Sequence, residues 1–141
     1  MKATRMIRVT GIQQNADGEE STIELTTEGT FYKKNDNYYI IYDESEISGM
    51  EGATTRVKIE NNKRVSMKRF GTSATDLIFE SGNKYEASYM TAYGQFNMII
   101  CTNVLEVEIS EETGKGKIEV DYDLSILGGE KLSNKLKIQL M

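Results

Sequence analysis

Apolar and polar residues alternate one for one along most of this chain, in short segments separated by clusters of Gly, Asn, Asp and Ser. A period of two places one set of side chains on each face of a strand, so the pattern predicts β structure throughout. The alternation is clearest towards the C-terminus. Ile118, Val120, Tyr122, Leu124 and Ile126 share one phase, while Glu119, Asp121, Asp123 and Ser125 fill the other. After Gly128-Gly129-Glu130, Leu136, Ile138 and Leu140 alternate with Lys135, Lys137 and Gln139.

A hairpin keeps both apolar sets on one face only if its register preserves their parity. Closing it from Leu127 to Lys131 around a Gly-rich loop does so, and sets Asp123 opposite Lys135 and Asp121 opposite Lys137. The same logic pairs Leu77 and Phe79 with Tyr85, Ala87 and Tyr89 across Ser81-Gly82-Asn83, with Glu80 facing Lys84. It pairs Val57 and Ile59 with Val65 and Met67 across Asn61-Asn62-Lys63, with Glu60 facing Arg64. Thr113-Gly114 fits a two-residue turn, at the expense of setting Glu108 opposite Glu119. Asn15-Ala16-Asp17-Gly18 and Asn35-Asp36-Asn37 read as further turns.

Strands are expected near 4–14, 20–34, 38–44, 54–60, 64–70, 75–80, 84–91, 95–104, 105–112, 116–127 and 131–140. Gly11 and Gly29 are expected to mark bulges or bends within long strands. Ser45–Ala53 is the longest irregular connection and is expected to form a lid over one barrel mouth. No segment has a helical period, and no internal repeat or linker is evident. Successive hairpins without a long crossover predict an all-β fold. It is a single domain over residues 1–141, an antiparallel up-and-down β-barrel of about eight to ten strands, because closure removes exposed sheet edges.

Composition narrows the chemistry. The 141 residues include no histidine, no proline, no tryptophan and one cysteine. That excludes Ser-His-Asp and Cys-His catalysis, imidazole metal sites and cysteine-built clusters. No cofactor fingerprint is present either. Gly114-Lys115-Gly116-Lys117 lacks P-loop spacing and reads as a turn. Asp43, Glu44 and Glu46 lack EF-hand spacing, and Asp121 and Asp123 read as a solvated face. Cys101 reads as a small buried residue; with no second cysteine to pair with, it agrees with a reducing, cytoplasmic setting. A net charge of −5, from 22 acidic and 17 basic residues, gives no electrostatic reason to bind nucleic acid or an anionic membrane. No apolar run reaches the roughly 18 residues of a membrane helix.

The informative residues are polar ones on the apolar phase. Arg69 shares parity with Val65 and Met67, and Glu44 with Tyr38, Ile40 and Tyr42. Tyr85 and Tyr89 flank Ala87, and Tyr122 lies between Val120 and Leu124. Three readings of this inward set stand side by side. In the first, Arg69, Tyr42, Glu44, Tyr85, Tyr89 and Tyr122 line a non-enzymatic site for a small, partly apolar or anionic ligand. In the second, Arg69 and Glu44 form an ion pair inside a filled, scaffold-like barrel. Its outer surface then binds a partner, with Phe31, Phe70 and Ile99 as candidate contacts. In the third, Glu44 is the general base of a histidine-free enzyme.

Several strings resemble the YwiB-like family of bacterial β-barrels of unknown function, in the calycin (lipocalin-like) group. They are Gly29-Thr30-Phe31-Tyr32, Tyr39-Ile40-Ile41-Tyr42-Asp43-Glu44 and Arg69-Phe70-Gly71. Tyr89-Met90-Thr91-Ala92-Tyr93-Gly94 and Ile118-Glu119-Val120-Asp121-Tyr122-Asp123-Leu124 continue the series. The resemblance spans about residues 4–140. It implies one calycin-like barrel and, by analogy with lipocalins, small-ligand binding; it supplies no reaction.

Overall fold

The computed structural model describes residues 2–44, 52–71, 74–91, 94–126 and 131–141. They form ten strands: β1 (Lys2–Gln14), β2 (Glu20–Lys34), β3 (Asn37–Asp43), β4 (Ala53–Glu60), β5 (Arg64–Gly71), β6 (Ala74–Glu80), β7 (Lys84–Thr91), β8 (Gly94–Ile109), β9 (Gly116–Ile126) and β10 (Lys131–Leu140). Each strand pairs antiparallel with its neighbours in sequence, and β10 returns to β1 to close the barrel. The up-and-down architecture expected from the hairpins is therefore present. No helix among the described residues is long and apolar enough to cross a membrane.

Turn chemistry sets the best-read hairpins. Asn35 and Asp36 both adopt positive φ (52° and 66°) between Lys34 and Asn37, as a tight hairpin matched to strand twist requires. Asn61 and Asn62 do the same (51° and 55°), and Lys63 N–H donates to the Glu60 carbonyl at 3.0 Å. The resulting β4–β5 register sets Glu60 opposite Arg64, Ile59 opposite Val65 and Val57 opposite Met67, as expected. In the β6–β7 hairpin the paired residues are Ala74 with Met90 and Thr75 with Tyr89, which agrees with the expected register. Towards its turn, Gly82 and Asn83 exchange backbone hydrogen bonds with Thr102 of β8 instead.

Other expectations need correction. Segments 95–104 and 105–112 are one strand, β8, with a bulge at Thr102/Val104 where Asn103 is the extra residue. The glycines suspected of causing bulges do not: β1 and β2 stay in unbroken register past Gly11 and Gly29. Gly29 instead answers crowding, because a Cβ there would come within 2.5 Å of the Ile41 carbonyl and closer still to the Ile7 methyl.

The β9–β10 register is slipped by two residues from the expected one. Asp121 faces Lys135 and Glu119 faces Lys137, while Asp123 faces Ser133 and pairs diagonally with Lys131 at 3.4 Å. A slip of two keeps the faces and the charge complementarity, so parity alone does not forbid it. The β8–β9 loop is longer than expected: Ile109 pairs with Gly116, and Ser110 N–H donates to the Lys115 carbonyl. Glu108 thereby faces Lys117, and the like-charge pair becomes Glu106–Glu119, with Lys117 and Lys137 both beside Glu119. Phe31 is buried rather than outward, stacked on Tyr38 at 5.7 Å. Cys101 lies outward between the buried Ile100 and Thr102 and is only half-buried. The lid expected at Ser45–Ala53 falls mostly outside the described residues; of it, Ala53 is fully buried at the start of β4.

Inward positions of all ten strands meet in one core that includes Ile7, Ile40, Val57, Ile59, Val65, Met67, Phe79, Ile100, Ile118 and Ile138. These side chains are at most 1% exposed, so that part of the interior is solid.

Candidate functional site

At the end of the barrel that carries the β1–β2, β3–β4 and β5–β6 connections, the inward positions turn polar. Register builds two belts there. Tyr42 of β3 faces Thr55 of β4, Thr55 faces Arg69 of β5, Arg69 faces Thr75 of β6, and Thr75 faces Tyr89 of β7. Across the barrel, Thr102 of β8 faces Tyr122 of β9, Tyr122 faces Asn134 of β10, and Asn134 faces Gln13 of β1. Alternation aims the described side chains of both belts inward.

Glu44 is at the centre of the first belt. Its backbone N–H donates to the Ala53 carbonyl at 2.9 Å, which draws the residue inwards just past the end of β3. The carboxylate is 3% exposed; Oε1 accepts the Thr55 hydroxyl at 2.6 Å and lies 3.5 Å from Arg69 Nε. Arg69 is 17% exposed, and its strand ends two residues on at Gly71. Gly71 takes φ +111° with a Cβ position 2.6 Å from the Gly52 carbonyl, so only glycine fits there. The Arg-x-Gly string thus closes the strand immediately beyond its arginine.

Arg69 Nε, Thr75 Oγ1 and Thr102 Oγ1 are buried here with no hydrogen-bond partner, while the Tyr42 hydroxyl sits beside Thr55 and Glu44. Arg69 Nε meets Glu44 as an ion pair without the alignment of a hydrogen bond. Burial pushes the Tyr42 hydroxyl well above the usual phenol range; the Glu44 charge adds to the shift and Arg69 opposes it. Burial also raises Tyr122, again against the Arg69 charge. The Tyr122 ring packs on Phe79 at 4.7 Å, at the boundary between the polar end and the solid core.

Tyr42, Glu44, Arg69 and Tyr122 border one cavity of about 240 Å³, completed by Val9, Leu25, Ile23, Leu136 and the polar pair Gln13 and Asn134. Gln13 Nε2 donates to Asn134 Oδ1 at 3.0 Å. Ile23 is 44% exposed although it lies on the inward phase, which marks this mouth as open. Larger hollows lie elsewhere, of about 420 Å³ beside Glu106 and Lys137 and about 580 Å³ beside Lys33 and Glu111. None of the residues bordering those two carries a buried unpartnered polar atom. Among the described residues no cluster of acids and cysteine is arranged to hold a metal ion.

Four of the six residues expected to form a site are therefore brought together. Tyr85 is not among them. Tyr89 is level with Arg69, and Tyr85 lies four residues along β7, about 13 Å away towards the opposite end. There its hydroxyl donates to Glu80 at 2.9 Å and the Arg64 guanidinium covers its ring at 5.6 Å. The side chain of Tyr89 lies outside the described residues. Sequence reasoning missed Thr55, Thr75 and Asn134, although Thr55 shares parity with Val57 and Ile59, and Asn134 with Leu136. Hydroxyls and amides on an apolar phase were the available signal.

The family described as "Domain of unknown function (DUF1934)" matches residues 7–138. The chain belongs to that family. This DUF1934 chain is 28% identical over 110 residues to the uncharacterized β-barrel protein YwiB of Bacillus subtilis (strain 168), a match covering 78% of this chain and 74% of that protein. The crystal structure of ywiB protein from Bacillus subtilis is similar with a TM-score of 0.85 at 24% identity, over 99% of this chain and 91% of that one. The likeness extends the resemblance read from the sequence to the whole barrel, and the family carries no assigned reaction.

Proposed function

We propose that this DUF1934 barrel is a binding protein for a small molecule with an apolar body and a hydrogen-bond-accepting, carboxylate-like end. The observation that carries the reading is the open cavity bordered by Arg69, Tyr42 and Tyr122, with Arg69 Nε buried and lacking an aligned hydrogen bond. A buried donor without a well-aligned partner costs about 1–3 kcal/mol, so Arg69 Nε, which meets Glu44 as an ion pair without hydrogen-bond alignment, favours an occupant that satisfies it. Val9, Leu25, Ile23 and Leu136 supply the apolar wall such an occupant would cover. Binding rather than turnover is preferred because the chain has no histidine and Glu44 is already engaged by Thr55 and Arg69. The lone cysteine supports a cytoplasmic setting.

The test is a thermal-shift panel of small aromatic and aliphatic carboxylates with their neutral amides, since a bound ligand raises stability by mass action. Carboxylates should be preferred, and Arg69→Ala should weaken the best of them by about 2–5 kcal/mol in titration calorimetry. Unchanged affinity in that variant removes Arg69 from the site. A flat panel removes the binding reading itself and favours a barrel that acts through its outer wall.

A further inference from the structure

The whole-chain charge conceals an uneven distribution. Between residues 54 and 70 the sequence holds six cations against one acid, Glu60, in a chain whose net charge is −5. Arg69 points inward, and the others stand on the outer wall of β4 and β5 or at their turn. Register sets Arg56 directly opposite Lys68, and both are exposed. Neither forms an ion pair with any described residue, whereas Lys58, on the same face, is shared with Glu60 at 3.4 Å. Like charges facing one another across neighbouring strands destabilise a sheet. Asp76 of β6 faces Lys68 from its other side without forming an ion pair, while Arg56, between Lys68 and Ile41, faces no acid.

Aromatic side chains border the same cations. Lys58 faces Tyr39 of β3, and Tyr39 faces Tyr32 of β2, the two rings stacked at 4.9 Å and 9°. On the other side, two positions beyond Lys68, Phe70 is 45% exposed. The wall therefore presents a basic centre flanked by ring faces, with about 16 Å between Tyr39 and Phe70 by strand geometry.

We propose that the outer wall of β3–β5 binds single-stranded nucleic acid. Phosphates neutralise Arg56, Lys58 and Lys68, which relieves the facing like charges, and unpaired bases stack on Tyr39 and Phe70. A duplex hides its base faces and engages the cations alone. An acidic protein segment likewise leaves the rings unused. The cavity plays no part in this proposal, so the two stand or fall separately.

Fluorescence anisotropy of the full chain with a labelled short oligo-uridylate tests it. Binding is expected at low salt, with log affinity falling against log salt at a slope of about −2 for three contacted phosphates. Arg56→Glu with Lys68→Glu should abolish it, and Tyr39→Ala and Phe70→Ala should each weaken it about fivefold or more. Lys135→Glu with Lys137→Glu, on the opposite wall, should leave it unchanged. All substituted side chains lie on the outer wall, and unchanged melting of each variant verifies folding. Absence of binding overturns the proposal, as does binding insensitive to the Arg56 and Lys68 reversals. Equal competition by polyglutamate, with Tyr39→Ala and Phe70→Ala both without effect, overturns it in favour of an acidic partner.

Discussion

At the end of the barrel that carries the Asn35–Asp36 and Asn61–Asn62 turns, the core is built from aliphatic and aromatic residues, and Ile59, Val65, Phe79 and Ile118 are at most 1% exposed. At the other end the same alternation delivers Glu44, Thr55, Arg69, Thr75 and Asn134 to the inside, next to a cavity and an open mouth. One folding rule thus produces a solid half and a half-hollow one. Period two decides only which side a residue faces; the chemistry of the inward residue decides whether the interior closes over it. Branched aliphatic chains interdigitate to crystal-like density, while a charged pair and short hydroxyls cannot fill the same radius.

The sharpest way to break this contrast is in the solid half. Phe79→Ala removes a fully buried ring and its packing on Tyr122, and should cost about 3–5 kcal/mol in denaturant unfolding. A much smaller loss would mean that the two halves pack alike. In the polar half, Glu44→Ala strands the Arg69 charge and should cost about 2–4 kcal/mol. Adding Arg69→Met to Glu44→Leu should recover most of that loss, because apolar replacement removes both desolvation penalties. If the double variant is no more stable than Glu44→Ala, the pair is a net stabiliser.

Alkaline titration probes the boundary between the halves. The hydroxyls of Tyr42 and Tyr122 are both raised above the ordinary phenol value in the folded state. The folded protein therefore holds these protons more tightly than the unfolded chain. Their stabilisation is complete below pH 10 and is lost as pH rises beyond it. The slope should approach about 1.4 kcal/mol per pH unit for each tyrosine, and Tyr42→Phe should reduce it. An unchanged slope in that variant would place Tyr42 outside the titrating set.

The smallest expected effect is a gain. A Cβ on Gly11 meets nothing within 4 Å, and Gly11 borders the cavity. Gly11→Ala should therefore add about 0.5–1 kcal/mol by lowering the entropy of the unfolded chain. Loss of stability would show that the space beside Gly11 is not available.

How much of this was legible depended on what fixed each element. The β4–β5 hairpin was read to the residue because Asn61 and Asn62 specify one turn and Glu60 and Arg64 confirm the register. The β9–β10 register was missed by two because an even slip leaves faces and opposite charges intact, so the pattern holds no information about it. Arg69 and Glu44 were found as polar residues on an apolar phase. Tyr85 satisfied the same criterion and still lies elsewhere, because parity gives the side of a wall and not the height along it. Height comes from strand-to-strand register, summed around the barrel. Phe31 was misjudged on β2, whose inward phase also contains Ser21, Thr27 and Gly29 and so lacks a clean apolar signature.

Pairing of β1 with β10 brings Ile7 beside Leu140, almost the full length of the chain apart. Every other seam is made by sequence neighbours and can zip locally. This last one must wait for a long-range encounter, and until it forms two raw strand edges face the surrounding protein solution. Closure of that joint is accordingly the step at which a slow-folding or truncated chain would be captured into aggregates.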